Sequence, residues 1–153
     1  MIKIRIAKTN DKKALQNLND KAFCDNPKFD SDLDLNWAQG EHGDRYFTET
    51  LNDPEAYCII AYDGDINVGY LAASEKKINH RNSHYVELQN MGVIPEYRLQ
   101  KIGTLLINEF FTWAKTKGFE KVILNAYIAN TGALEFYKRH GLTEIDISLE
   151  KML

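Results

Sequence analysis

The most informative part of this chain is the stretch Val93-Ile94-Pro95-Glu96-Tyr97-Arg98-Leu99-Gln100-Lys101-Ile102-Gly103-Thr104-Leu105-Leu106. It starts as the end of an apolar strand, breaks at a proline, continues as a basic loop and then opens an amphipathic helix at a glycine. The first amides of a helix have no partner within the helix and carry the positive end of its dipole. The stretch therefore predicts a strand–loop–helix junction that binds a phosphate or pyrophosphate.

Backbone amides of the loop and of the first helical turn form this predicted anion site. The amides that can point at one pyrophosphate belong to Leu99, Gln100, Lys101, Ile102, Gly103 and Thr104. Arg98 and Lys101 add positive charge, and Gly103 allows the backbone and the ligand to approach closely. The absence of GxxxxGK and of GxGxxG excludes a Walker loop and a dinucleotide fingerprint. Taken alone, the pattern fits an ordinary strand–turn–helix junction equally well.

Composition limits the classes of function. The chain has 153 residues, of which 44% are hydrophobic and 27% charged, and this predicts one domain over residues 1–153 with a substantial core. A net charge of -3 argues against a nucleic-acid partner, and no apolar run is long enough to span a membrane. Cys24 and Cys58 form no CxxC pair, so a cytoplasmic location is expected. The scattered histidines lack ligand spacing, so no metal is expected.

The predicted elements follow the order βααβββαβαβ, which is typical of one mixed α/β domain. The tight turn Asp63-Gly64-Asp65 separates predicted antiparallel strands over residues 56–62 and 66–75. An alternating pattern that includes Ile2, Ile4 and Ile6 predicts the first strand. Helices are predicted after Thr9, over 44–51, after Gly103 and over 131–140, and further strands over 84–93, 121–128 and 142–149.

Two blocks of the sequence resemble one known family. Pro95-Glu96-Tyr97-Arg98 followed by Ile102-Gly103 resembles the acyl-CoA loop of the GNAT family of N-acetyltransferases, whose pattern is Gln/Arg-x-x-Gly-x-Gly/Ala. Lys101 stands where the family usually has its first glycine. The block Asn130-x-x-Ala133-x-x-Phe136-Tyr137-x-x-x-Gly141-Leu142 is similar to the family's second conserved block, except that Leu142 replaces a phenylalanine. The order of elements also matches, so the resemblance implies a mostly antiparallel, twisted mixed sheet with flanking helices and splayed central strands.

The resemblance implies acetyl-CoA as the acyl donor and co-substrate. Its pantetheine arm would lie in a slot between the strand ending at Val93 and the strand over 121–128. The Met91 amide would face the thioester carbonyl, and the Val93 amide the pantetheine. Asn130 would contact the cofactor from the second block, although a plain helix N-cap explains this residue equally well. The implied cofactor-binding residues are Met91, Val93, Arg98, Leu99, Gln100, Lys101, Ile102, Gly103, Thr104, Asn130 and Tyr137.

The implied reaction is direct attack of an amine on the thioester. An alkylamine with a pKa of about 10.4 must first lose a proton at neutral pH. Glu87 is the candidate base, because members of the family carry a catalytic glutamate at the matching position; a solvated strand residue or a substrate anchor is the alternative. In a strand without a bulge, Glu87, Met91 and Val93 share one face. Tyr137 matches the family's acid for the leaving thiolate, and a packing role is its alternative.

The acceptor is the least determined part of the interpretation. Residues 24–45 are rich in acidic and aromatic side chains, which suits a small cationic amine, although such runs are commonly solvated loops. Acetylation of a protein, at a lysine or at the N-terminus, is a second hypothesis. A non-catalytic acyl-CoA-binding module is a third, and Lys101 is the residue that favours it. Because many members of the family dimerise through edge strands or the C-terminal strand, a homodimer also stays open.

Overall fold

A computed structural model describes residues 1–153 and contains one five-stranded sheet. The strands are β1 (Ile2–Ile6), β2 (Tyr57–Asp63), β3 (Ile66–Lys76), β4 (Tyr85–Val93) and β5 (Lys121–Ile123). They lie in the order β1-β2-β3-β4-β5. Neighbouring strands are antiparallel except β4 and β5, which are parallel. The mixed, mostly antiparallel sheet predicted from the sequence is therefore confirmed.

Four helices flank the sheet: α1 (Lys12–Ala22), α2 (Glu41–Asn52), α3 (Ile102–Thr116) and α4 (Thr131–Arg139). A Cβ atom on Gly92 would meet Ala22 of α1, whereas one on Gly69 would meet Leu106 of α3. Because Gly69 is paired with Val93, the residue next to Gly92, α1 and α3 lie on opposite faces of the sheet. The Phe47 ring of α2 contacts the Tyr70 ring, to which Asn19 of α1 donates a hydrogen bond, so α2 shares the face of α1.

The core lies between the central strands and these helices. Twenty-one buried residues form one hydrophobic cluster, and the largest fully buried side chains include Tyr70, Phe47 and Phe110. None of the helices has the length and apolarity that a membrane crossing needs. Cys58 is buried in this core and Cys24 is exposed, and neither forms a disulfide.

Two predicted strands differ from the structure. The strand predicted over 121–128 ends after three residues, at Ile123, and its residues are exposed or half-buried. The strand predicted over 142–149 is absent: this segment has no regular structure, and Ile145, Ile147 and Leu149 are 53%, 66% and 89% exposed. The alternating pattern is present, but a strand forms only where its backbone finds a neighbour, and here β5 pairs with β4 alone.

Candidate active site

The loop before α3 has the conformation of an anion cradle. β4 ends at Val93, Pro95–Tyr97 form one turn of 3-10 helix, and α3 begins at Ile102. Leu99 and Lys101 have left-handed backbones, with φ angles of 63° and 62°. Left-handed residues in a turn direct successive amides to one side of the chain. The first α-helical hydrogen bond runs from the Leu105 amide to the Lys101 carbonyl at 3.0 Å, so the amides of residues 102–104 precede it.

Lys101 occupies the position where the family usually has glycine, and its backbone adopts the conformation that glycine favours. An L-residue in this region costs about 1–2 kcal/mol, and such strain is concentrated at functional sites. The lysine therefore preserves the loop path and leaves the cradle formed. The backbone of Lys101 therefore gives no reason to favour the non-catalytic acyl-CoA-binding module.

We expect the variant Lys101→Gly to have a free energy of unfolding about 0.5–1 kcal/mol higher than that of Lys101→Ala. Glycine relieves the left-handed strain, and its greater entropy in the unfolded chain offsets part of that gain. Both variants lose the ammonium group, so the comparison isolates the backbone. Urea denaturation followed by circular dichroism measures the difference. Equal free energies of unfolding would contradict a left-handed backbone at this position.

Arg98 is held by the end of α1. Its guanidinium donates hydrogen bonds to Asp25 at 2.6 Å, to the Ala22 carbonyl at 3.0 Å and to the Val93 carbonyl at 3.3 Å. The Arg98 guanidinium, followed by the Lys28 ammonium, lowers the pKa of the Asp25 carboxyl. The side chain thus ties α1 to β4 and to the loop, whereas a direct contact of Arg98 with a phosphate stays a prediction.

A gap opens between β4 and β5, where the resemblance places the pantetheine slot. The parallel pairing ends at Glu87 and Ile123, and β4 continues to Val93 without a strand partner on that side. The Ile94 amide donates to the Val68 carbonyl on β3 at 2.9 Å. Because backbone amides alternate in direction along a strand, those of Met91 and Val93 point away from β3 and into the gap. An extended chain bearing carbonyl groups fits this arrangement.

Glu87 does not share the face of Met91 and Val93. The register shifts from Ala73↔Leu88 to Ala72↔Asn90, so Gln89 has no cross-strand partner and forms a bulge. One extra residue reverses the alternation beyond it. Val93 therefore faces α3, whereas Glu87 lies on the face of α1 and α2. This corrects the single face expected for a strand without a bulge.

The carboxylate of Glu87 is already paired with a cation. The Lys76 ammonium lies 2.9 Å from a Glu87 oxygen, and the Glu87 side chain is 20% exposed. Solvent reaches both groups, so the pair can open. The strand that borders the gap therefore carries an acidic side chain, and an ion pair with Lys76 holds this side chain in place.

The second sequence block forms α4. Asn130 is the N-cap, and its side-chain oxygen accepts a hydrogen bond from the Ala133 amide at 3.2 Å. Tyr137 is half-buried beside Phe136, and burial raises the pKa of its hydroxyl to about 12. The position of a Cβ on Gly103 lies 3.3 Å from the Phe136 ring, so α4 packs on the first turn of α3. The two blocks are thus neighbours in the fold.

One cavity lies along the outer edge of β5 rather than in the gap. Its volume is about 530 Å³, and β5, the end of α4 and residues 142–146 line it. Tyr137 is part of its wall, whereas no residue between Val86 and Leu105 is. Tyr137 therefore lines the same cavity as β5. Its neighbour Phe136 packs on Gly103, but the loop before α3 does not line the cavity.

Residues 24–46 contact both sides of the gap. The Phe29 ring stacks on Tyr127, which follows β5, with 6.1 Å between ring centroids. The Tyr127 hydroxyl donates to Asp30 at 2.8 Å. On the other side, Tyr46 of α2 bonds to the bulge of β4. The sequence alone signalled the aromatic content of this segment, but not that Tyr46 contacts β4, because the partners are more than 40 residues apart.

Comparison with known proteins identifies the family. The model of the acetyltransferase (GNAT) family matches residues 15–142. The chain belongs to the GNAT family. The match includes the loop before α3 and the part of α4 that carries Tyr137.

Curated relatives within the family are longer than this chain. A probable N-acetyltransferase of Drosophila melanogaster, named san, is 29% identical over 106 residues, which are 69% of this chain and 56% of that protein. N-alpha-acetyltransferase 50 of Danio rerio is 26% identical over 107 residues, which are 69% of this chain and 61% of that protein. The matched part thus spans less than two thirds of either relative.

Solved structures share the fold at low sequence identity. An aminoglycoside N-acetyltransferase, AAC(6')-Iy, solved in complex with CoA, has a TM-score of 0.76 and 17% identity. The comparison covers 100% of this chain and 95% of that one. At this identity the similarity shows the fold alone, and it does so over the whole of this chain.

Proposed function

We propose that residues 1–153 form one N-acetyltransferase domain that transfers an acetyl group from acetyl-CoA to a small primary amine. The observation that carries the proposal is the pair of amide groups directed into the gap, from Met91 and Val93, next to the cradle before α3. Family membership supports the reaction class, and the CoA in the solved neighbour supports the donor. We propose a cytoplasmic location on the basis of the two unpaired cysteines.

The cradle supplies the donor site. The amides of residues 99–104 bind the pyrophosphate, and the Val93 amide pairs with the pantetheine arm. The Met91 amide donates to the thioester carbonyl and stabilises the oxyanion as the amine attacks. All of these contacts use backbone groups, so they do not depend on the glycine that Lys101 replaces.

The chemistry is a direct aminolysis. The amine nitrogen forms a bond to the carbonyl carbon and gives up a proton, and the carbon–sulfur bond breaks. Glu87 accepts the proton of the amine, directly or through water, once its ion pair with Lys76 opens. The Tyr137 hydroxyl donates a hydrogen bond to the departing thiolate sulfur, which then takes a proton from solvent. The products are the acetylated amine and CoA, and no enzyme-bound acyl group forms.

The acceptor is proposed to bind between residues 24–45 and the end of β5. Several carboxylates of this segment are neutralised by neighbours: Asp25 by Arg98 and Lys28, Asp44 by Lys12, and Glu41 by Arg45. Asp30 has no cationic partner, and it lies beside the stacked rings of Phe29 and Tyr127. A carboxylate next to two aromatic faces suits a small cation. Structural neighbours that are aminoglycoside N-acetyltransferases support this class of acceptor.

Acetylation of a protein is the second candidate. It is favoured by the similarity to N-alpha-acetyltransferase 50, a name that indicates a protein N-terminus as acceptor. A peptide requires an open groove over the thioester, whereas a small amine requires a closed pocket. A panel that contains a polyamine, an aminoglycoside and a short peptide with a free N-terminus separates the two hypotheses.

Acetyl-CoA is expected to raise the midpoint of thermal unfolding by about 5–10 °C. A ligand at about 100 times its Kd adds roughly 2.7 kcal/mol to a native state that alone binds it, and 1 kcal/mol shifts the midpoint of a chain of this size by about 2–4 °C. Differential scanning fluorimetry with acetyl-CoA at about 100 times its Kd measures the shift. 3'-Phosphoadenosine 5'-diphosphate, which lacks pantetheine, is the control and should give a smaller shift. No shift with acetyl-CoA would exclude the transferase.

A further inference from the structure

The bulge of β4 is the one place where the strand beside the gap departs from regular pairing with β3. Gln89 is the extra residue, between the pairs Ala73↔Leu88 and Ala72↔Asn90. A bulge bends its strand and changes the direction of the peptide groups that follow it. The second peptide group after Gln89 joins Asn90 to Met91 and carries the amide that the proposed function assigns to the thioester carbonyl.

Tyr46 binds the bulged residue Gln89 and its neighbour Asn90. Its hydroxyl donates a hydrogen bond to the Gln89 side-chain oxygen at 2.9 Å and accepts one from the Asn90 side-chain nitrogen at 3.0 Å. The side-chain nitrogen of Gln89 in turn donates a hydrogen bond to the Ser74 hydroxyl on β3 at 2.9 Å. The hydroxyl of one residue on α2 therefore fixes two consecutive side chains of β4.

The ring of Tyr46 is itself held in place. It packs against Trp37 and Phe47, with ring centroids 5.6 Å and 5.0 Å away. Burial raises the pKa of the Tyr46 hydroxyl to about 12. The hydroxyl is consequently neutral at physiological pH and keeps both its donor and its acceptor role.

We infer that Tyr46 is a positioning residue for acyl transfer, which fixes the β4 bulge so that the Met91 amide faces the thioester carbonyl. This inference rests on the proposed function. Tyr46 does not touch the reacting atoms in this arrangement, because its hydroxyl is occupied by Gln89 and Asn90. Its effect passes through the orientation of one peptide group.

The test compares Tyr46→Phe with Tyr62→Phe. The first removes only the hydroxyl and keeps the ring in its aromatic cluster, and the second removes a hydroxyl on β2 that makes no side-chain hydrogen bond. Complete loss of an oxyanion donor costs about 100- to 1,000-fold in kcat, and misdirection of a donor that remains present costs part of that. We expect kcat of Tyr46→Phe to fall about tenfold, with KM for acetyl-CoA and the unfolding midpoint nearly unchanged, and Tyr62→Phe to match the parent.

Two kinetic outcomes would overturn the inference. One is an unchanged kcat, and the other is a rise in KM for the amine at constant kcat, which would make Tyr46 an acceptor contact. A double variant adds a check, since Tyr46→Phe and Asn90→Ala act on the same peptide group. Their combined effect on kcat should therefore be smaller than the product of the two single effects. Full multiplicativity would also count against a shared role.

A spectroscopic readout separates this inference from the proposed function. In the ¹⁵N-labelled protein, the Met91 amide resonance should move when acetyl-CoA replaces CoA, because only the thioester brings a carbonyl to that amide. In Tyr46→Phe, the movement should be less than half as large. An equal movement in both proteins would overturn the positioning role and leave the transferase intact. No movement in the parent protein would contradict the oxyanion role of Met91, and the positioning role with it.

Discussion

Replacing Tyr137 with phenylalanine is expected to lower kcat by roughly 10- to 100-fold while the affinity for CoA stays within about twofold. A hydrogen bond to a charged group contributes about 1.5–3 kcal/mol, and each 1.4 kcal/mol corresponds to a tenfold change in rate. The phenylalanine ring keeps the edge contact with Phe136 and loses only the hydroxyl, which the proposed mechanism directs at the departing sulfur. Steady-state kinetics together with CoA titration by calorimetry measures both quantities.

The control for this prediction is Tyr57→Phe. The Tyr57 ring stacks on Trp113, with 4.4 Å between ring centroids, and its hydroxyl makes no side-chain hydrogen bond. Its removal should leave kcat unchanged. If Tyr137→Phe instead lost CoA affinity and thermal stability in equal measure, Tyr137 would be a packing residue.

The pKa of Tyr137 defines how the hydroxyl acts. Burial raises this pKa to about 12, whereas a thiol has a pKa of about 8.5. In the proposed mechanism, the Tyr137 hydroxyl therefore stabilises the sulfur by donating a hydrogen bond, and the sulfur acquires its proton from solvent when CoA leaves.

The same pKa fixes the sign of the pH dependence. The hydroxyl is active when protonated, and it loses its proton only as the pH rises towards about 12. The kcat profile should therefore show no alkaline decline due to Tyr137 below about pH 11, and Tyr137→Phe should lower the rate by the same factor from pH 7 to pH 10. A decline near pH 8–9 that disappears in Tyr137→Phe would contradict the raised pKa.

The elements predicted with correct type are those whose signals are local. Asp63-Gly64-Asp65 predicted the β2–β3 turn, and Gly64 has the left-handed φ of 57° that such a turn needs. Gly118, with a φ of 84°, follows the end of α3 as a glycine C-cap should. Both signals depend on the backbone preferences of one or two residues, which the sequence states directly.

The errors arise where distant parts of the chain decide the outcome. Residues 142–149 alternate correctly for a strand, yet the free edge of β5 does not pair with them. The bulge at Gln89 has no sequence signature either, and it alone moves Glu87 to the face opposite Met91. The sequence indicates the left-handed backbone of Lys101 only indirectly, because the GNAT family usually has a glycine at this position.

Gly43→Ala is expected to lower the free energy of unfolding by about 3 kcal/mol or more. A Cβ at this position would lie 2.2 Å from the Trp37 carbonyl oxygen and 2.5 Å from that of Ala38. Both atoms belong to the backbone, so no rotamer change relieves the overlap, and overpacking of this kind costs about 1–3 kcal/mol before any hydrogen bond is lost. The Ala38 carbonyl also accepts a buried hydrogen bond from Gln16 of α1 at 2.8 Å, which the displacement would weaken.

The expected shift in the thermal midpoint is about 6–12 °C downwards, measured by calorimetry. Gly132→Ala is the matched control, because the only heavy atom near its Cβ is a side-chain oxygen 3.9 Å away and alanine favours the helix. That variant should be as stable as the parent or more stable by up to about 1 kcal/mol. Because the turn that Gly43 contacts also carries Trp37, which packs on Tyr46, Gly43→Ala should reduce kcat even at temperatures where the protein is fully folded. A stable Gly43→Ala with parental kcat would show that α2 is not held against residues 36–40 in this way.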